Sequence, residues 1–194
     1  MAKNYLNELK EIINDPKFGY SGDDFMFRTG FPTFDYLNGN VVVDEDGSRN
    51  VNIGIDGGKI ITVIGKSGSG KSTFAIQVAA NIIRKYEQGS MFILDFEQSN
   101  KEDRVRMVTG MSTEELAERV TIKRTGISTE TVLEMVYQIK NLKMQYKKEL
   151  MVENKEGVID SKTGKLKKIL PPTVIMIDSV PMMLPRDDMF KEEM

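Results

Sequence analysis

ITVIGKSGSGKSTFAIQVAANIIRK, Ile61 to Lys85, decides how the rest of the chain is read. A β-branched apolar run, KIITVIG at 59–65, lies between glycines and predicts a buried parallel strand. An amphipathic segment from about Lys71 to Tyr86 predicts a helix, with Phe74, Val78, Ile82 and Ile83 on one face. Between them Gly65, Lys66, Ser67, Gly68, Ser69, Gly70, Lys71 and Ser72 satisfy G-x-x-x-x-G-K-[ST] in full. A flexible glycine-serine linker has similar composition, but a linker does not join a strand to a helix. Glycines let the backbone wrap closely, so that its N–H groups point at phosphate oxygens. The helix start adds partial positive charge. Lys71 is placed to meet the β- and γ-phosphates, and the Ser72 hydroxyl to ligate Mg²⁺. ATP with Mg²⁺ is the expected cofactor.

A hydrolytic site needs two further groups. A carboxylate at the end of a neighbouring strand orients the magnesium water shell, and Asp178 follows the apolar run Val174–Ile177. A base must hold the attacking water. The 194 residues contain no histidine, so a carboxylate is the best candidate. Glu97 stands two residues past Asp95, at the end of the strand predicted for SMFILDFE. An ordinary strand-terminal aspartate and a solvated loop acid are the plain alternatives.

Composition narrows the class. Hydrophobic residues make up 40% and charged residues 29%, ordinary for a globular domain large enough to bury a core. The absence of cysteine excludes disulfides and thiolate metal sites. A net charge of −2 does not announce a nucleic-acid binder. Lys140–Lys168, however, holds nine lysines against four acids. It reads first as a solvated face and second as a nucleic-acid contact. No apolar run approaches the length of a membrane span, and a cytoplasmic location is expected.

Residues 1–20 predict a short amphipathic helix that stops near Asp15-Pro16, followed by a linker. Residues 21–194 form the main unit. FMFRTGFPTFDYLNG reads as a loop with aromatic anchors, and 41–53 as a hairpin turning near Asp46-Gly47. NKEDRVRMVTGM is helical, STEELAE carries a capping box at Ser112 and Glu115, and RVTIKR is a third strand. A helix follows STETVLEMVYQIKNLKMQYKK, its cap open between Ser128 and Thr129. Residues 150–170 read as a lysine-rich hairpin outside the core, and TVIMIDS as a fourth buried strand. Alternating strand and helix predict an α/β fold with a mostly parallel sheet and helices on both faces.

RTGFPTFDYLNG, GGKIITVIGKSGSGKST, MFILDFEQS and TVIMIDSVPMMLP stand in the order and spacing of the RecA-type recombinases. The chain resembles that family over most of Phe25–Met194, and the phage UvsX-like branch most closely. The resemblance implies a RecA-like P-loop NTPase core with Lys71, Ser72 and Thr73 at phosphate and magnesium. It implies Glu97 as base and Asp178 beside the magnesium. It implies that Pro181–Met194 begins the first DNA-binding loop. It also implies an N-terminal protomer-docking helix and self-association as a helical filament or ring on single-stranded DNA. Such proteins continue with a helix, a strand bearing a nucleotide-sensing glutamine and a second DNA loop, none of which occurs by Met194. That strand lies between the phosphate-loop strand and the Asp178 strand, so the core is expected to be truncated after the latter, with unpaired edges on both. A fragment of a longer product, a second polypeptide supplying the C-terminal half, or altered or swapped strand pairing would each account for this. The first two are favoured.

The leading function is thus a DNA-dependent ATPase in recombination and repair. A DnaB-type helicase shares the core, but would carry a longer N-terminal domain. A chain that binds nucleotide without turnover is the non-enzymatic alternative.

Overall fold

The computed structural model describes residues 25–43, 47, 49–160 and 163–189; the expected N-terminal helix lies outside them. In chain order the elements are β1 (Met26–Phe27), α1 (Pro32–Leu37), β2 (Asn40–Val43), β3 (Arg49–Asn52), β4 (Ile55–Asp56), α2 (Lys71–Ile83) and β5 (Ser90–Asp95). There follow α3 (Glu102–Thr109), α4 (Thr113–Arg119), β6 (Val120–Lys123), α5 (Thr129–Gln145), α6 (Lys147–Leu150), β7 (Val152–Glu153), β8 (Lys168–Ile169) and β9 (Thr173–Asp178). A 3₁₀ turn (Val180–Met182) and α7 (Arg186–Met189) complete the described chain.

The central sheet runs β6-β5-β9, with every pair parallel. Met91 and Ile93 of β5, with Val174 and Met176 of β9, face a core built with α2, α3 and α4. Leu94 of β5, with Ile175 and Ile177 of β9, faces a second cluster with Ile127, Val132 and Met135 beside and on α5. The alternation of strand side chains therefore feeds two apolar layers, and helices cover both faces. This is the α/β arrangement, with a parallel sheet, that the strand and helix order predicts.

The largest correction concerns 59–65. The run enters no strand ladder, and Ile60 and Ile64 are 97% and 89% exposed. Its β-branched composition suits a strand, but no described segment lies in ladder with it, and a strand forms only against a partner. Among the described residues β9 likewise pairs on one side only, with β5, and apart from Met176 it is half-buried rather than fully buried.

The helix after the loop ends at Ile83, three residues before the expected Tyr86; of its expected face Ile82 and Ile83 are buried, while Phe74 and Val78 are half-buried. Ile76, Ala79, Ala80 and Ile83 enter the core. Phe74 instead packs against Phe31 and Phe34, with ring centroids 5.2 and 5.5 Å away. The expected loop at 25–39 holds β1 and α1. Pro32 begins α1, and buried Asp35 accepts from the Thr29 amide at 2.8 Å and its hydroxyl at 2.6 Å. The pattern missed these because both elements are too short for periodicity.

The hairpin near 41–53 is present as β2–β3. The lysine-rich hairpin is also present, as β7–β8 with a bridge from Ile159 to Leu166. It is fastened to the core edge: Glu156 pairs with Lys85 at 2.6 Å, and the Lys155 amide donates to the Tyr86 hydroxyl at 3.0 Å. Ser112 and Ser128 cap α4 and α5, accepting from the Glu115 and Thr131 amides at 3.1 and 3.2 Å. That settles the open cap on Ser128. No helix of the described residues is long and apolar enough to cross a membrane.

Candidate phosphate and magnesium site

Gly65–Gly70 forms an exposed loop leading into α2. Gly68 and Gly70 take φ of +73° and +85°, a region that disfavours side chains, so both glycines are required by the turn itself. α2 has neither a side-chain cap nor an acid in its first turn. Its free N–H groups therefore present uncompensated positive potential at the loop mouth. Lys71 Nζ reaches back to donate to the Lys66 carbonyl at 2.9 Å, placing an ammonium across the loop. Lys66, Ser67 and Ser69 lie on the exposed loop, while Ser72 and Thr73 open the helix. An uncapped helix start, a lysine and two hydroxyls suit a triphosphate with its magnesium. Lys71, Ser72 and Thr73 would hold it on the loop side.

The carboxylates sit at the carboxyl ends of the parallel strands, where Asp95 and Asp178 stand in register. They have different surroundings. Asp95 is fully buried; it accepts from the Ser99 and Asn100 amides at 3.1 and 2.8 Å and from Asn100 Nδ2 at 3.1 Å. Arg124 Nε, just past β6, lies 3.6 Å from Oδ2, the oxygen that accepts from the Asn100 amide. Asp95 is thus consumed by internal bonds. Asp178 is half-buried, accepts one side-chain bond, from Asn100 Nδ2 at 2.9 Å, and retains capacity for magnesium-bound water. The Asp178–Ser179 peptide is cis.

Glu97 is exposed, and its amide donates to the Asp178 carbonyl at 3.2 Å, which ties the expected base to the expected magnesium residue. Gln98 follows with φ of +53°, the one positive-φ residue other than glycine among those described. Such a conformation costs roughly 1–2 kcal/mol and is held here by the Asp95 bonds to the next two amides.

Three residues of this network were not singled out by the sequence. Asn100 joins Asp95 to Asp178. Arg124 donates to the Asn100 carbonyl at 2.8 Å. Arg104 reaches the Ser99 carbonyl at 3.3 Å and the Thr73 hydroxyl at 3.4 Å, linking the strand tips to the start of α2. A polar residue between a strand and a helix reads simply as a turn or cap, so no local pattern marks Asn100. The segment expected to begin a DNA-binding loop follows Asp178, with Val180, Met182 and Leu184 exposed and Met183 packed against the second apolar cluster. The Leu184 carbonyl accepts from the Thr129 amide at 3.0 Å, and the Arg186 amide donates to Glu130 at 2.9 Å. Residues 190–194 of that expectation lie outside the described ones.

The family model described as "ATPase: KaiC" matches residues 27–194. Neither the curated proteins nor the solved structures contain a significant match.

Proposed function

The chain belongs to the KaiC ATPase family, a RecA-like family of P-loop ATPases, and from that premise we propose that it binds Mg²⁺·ATP and hydrolyses it in response to single-stranded DNA. One observation carries the catalytic part of this reading. The start of α2 and the two strand-end acids are tied together: Arg104 donates to the Thr73 hydroxyl and the Ser99 carbonyl, and the next residue, Asn100, donates to Asp95 and Asp178.

Bound magnesium supplies charge neutralisation on the β- and γ-phosphates. Lys71 and the α2 amides bind the phosphate oxygens, Ser72 supplies a hydroxyl ligand, and Asp178 orients the water shell. Glu97 takes a proton from the attacking water. Its exposure and its tie to Asp178 suit a base that becomes fully placed only with nucleotide bound.

The DNA part rests on the resemblance to RecA-type recombinases, the phage UvsX-like branch in particular, and on the exposed apolar side chains of Val180, Met182 and Leu184 after Asp178. The exposed run at 60–64 and the free edge of β9 support assembly with a second copy, as a filament or ring, or with a second polypeptide. The test is ATP turnover by the full chain with and without single-stranded DNA, with light scattering recorded in parallel. Stimulation together with growth in scattering is expected; turnover indifferent to DNA would refute the DNA-coupled reading. A second reading, nucleotide binding without turnover, is favoured by the phosphate loop being entered from a segment outside any ladder. It predicts tight ATP binding and no phosphate release under all conditions.

A further inference from the structure

We propose that Asn100 is a positioning residue for magnesium: its side-chain amide, shared between Asp95 and Asp178, fixes the Asp178 carboxylate so that one oxygen is held and the other is left for the magnesium water shell. This rests on the reading of the site as a Mg²⁺·ATP site.

The geometry is unusual for a turn asparagine, which ordinarily bonds its own neighbourhood. Asn100 Nδ2 instead donates at 3.1 Å to Asp95, five residues away, and at 2.9 Å to Asp178, 78 residues away. The side chain is fully buried, and Oδ1 has no partner. Reversing the amide would aim that carbonyl at two carboxylates, so the donor side must face them. Asn100 is therefore retained for its donor even though its acceptor is left unsatisfied. Few side chains could replace it. Aspartate would place a third carboxylate among two others, and leucine would leave Asp178 without its donor. The backbone of Asn100 is held separately: its amide donates to Asp95 at 2.8 Å and its carbonyl accepts from Arg124 at 2.8 Å. The side chain can thus be changed while the turn carrying Glu97 keeps its main anchors.

The test is a magnesium titration of binding of a fluorescent ATP analogue to the full 194-residue chain, comparing wild type, Asn100→Ala, Asn100→Ser, Asp178→Asn and Asn100→Ala on Asp178→Asn. Folding is checked by circular dichroism and thermal melts. Loss of a partner that orients a metal-binding group weakens metal affinity by about 10–100-fold. Asn100→Ala is therefore expected to raise the half-maximal magnesium concentration by about tenfold or more, with magnesium-free nucleotide binding changed less than about twofold. On the Asp178→Asn background it is expected to add nothing, because both changes remove the same device. A folded Ala or Ser variant with the wild-type magnesium midpoint overturns the proposal, as does an equal loss with and without magnesium or an additive loss on Asp178→Asn. If neither variant folds, Asn100 is structural and the proposal falls. If wild type itself shows no magnesium dependence, the Mg²⁺·ATP reading falls first and takes this proposal with it. A magnesium-dependent wild type with an indifferent variant removes this proposal alone.

Discussion

Asp95 and Asp178 are neighbours in register at the ends of parallel strands, yet replacing each by alanine has sharply different expected costs. Asp95 is fully buried and accepts three hydrogen bonds, two of them from backbone amides, with the Arg124 guanidinium 3.6 Å away. Bonds to a charged acceptor are worth about 1.5–3 kcal/mol each, but burying the carboxylate has itself cost several kcal/mol. Removing the carboxylate strands two backbone amides and the Asn100 side-chain amide, at about 1–3 kcal/mol for each unsatisfied buried donor, so a net loss of about 4 kcal/mol is expected. That is a large share of a domain's total stability of about 5–15 kcal/mol. With a urea m-value of about 2 kcal/mol/M, Asp95→Ala is expected to lower the midpoint by about 2 M. Asp178 is half-buried and accepts one side-chain bond from a donor that keeps its second partner, so Asp178→Ala is expected to cost about 1 kcal/mol or less. Urea denaturation followed by far-ultraviolet circular dichroism measures both. Equal losses, or a loss under about 1 kcal/mol for Asp95→Ala, would refute the assignment of Asp95 to scaffold and Asp178 to magnesium.

Glu97→Gln is expected to abolish phosphate release in a turnover assay while leaving ATP affinity nearly unchanged; lost affinity would make Glu97 a structural residue. Removing the Ser128 cap, whose oxygen accepts from the Thr131 amide at 3.2 Å, is expected to cost about 1 kcal/mol by chemical denaturation. Lys143 donates to the Pro171 carbonyl and, at 2.7 Å, to the Thr173 hydroxyl, and burial pushes its pKa down from 10.5 to about 8. Its folded pKa is below its unfolded one, so the penalty for the charged form is present below about pH 8 and is relieved as pH rises toward 10.5. Denaturation midpoints are therefore expected to climb through that window, and Lys143→Met to flatten the climb.

Where composition and spacing agreed, form was legible. SMFILD, VTIK and TVIMID each became strands of one parallel sheet, as short apolar or β-branched runs separated by helical segments imply. The phosphate loop was legible because its chemistry is local: glycines at positive φ, a lysine, and a helix start. KIITVIG failed because strand formation is not local. The composition was right, but no described segment lies in ladder with it. The face of α2 was legible at Ile82 and Ile83, which are buried, but not at Phe74, which meets two phenylalanines of the preceding segment. Asn100 was invisible because its significance lies in a bond spanning 78 positions.

Calorimetric titration of the full chain with Mg²⁺·ATP, beside Lys71→Ala, tests the central claim most directly. The phosphate loop is the binding site in this account, so the wild type is expected to bind one ATP per chain and Lys71→Ala to lose that binding. ATP bound equally well by both proteins would contradict the assignment of the loop, and with it the magnesium and water-activating roles given to Asp178 and Glu97.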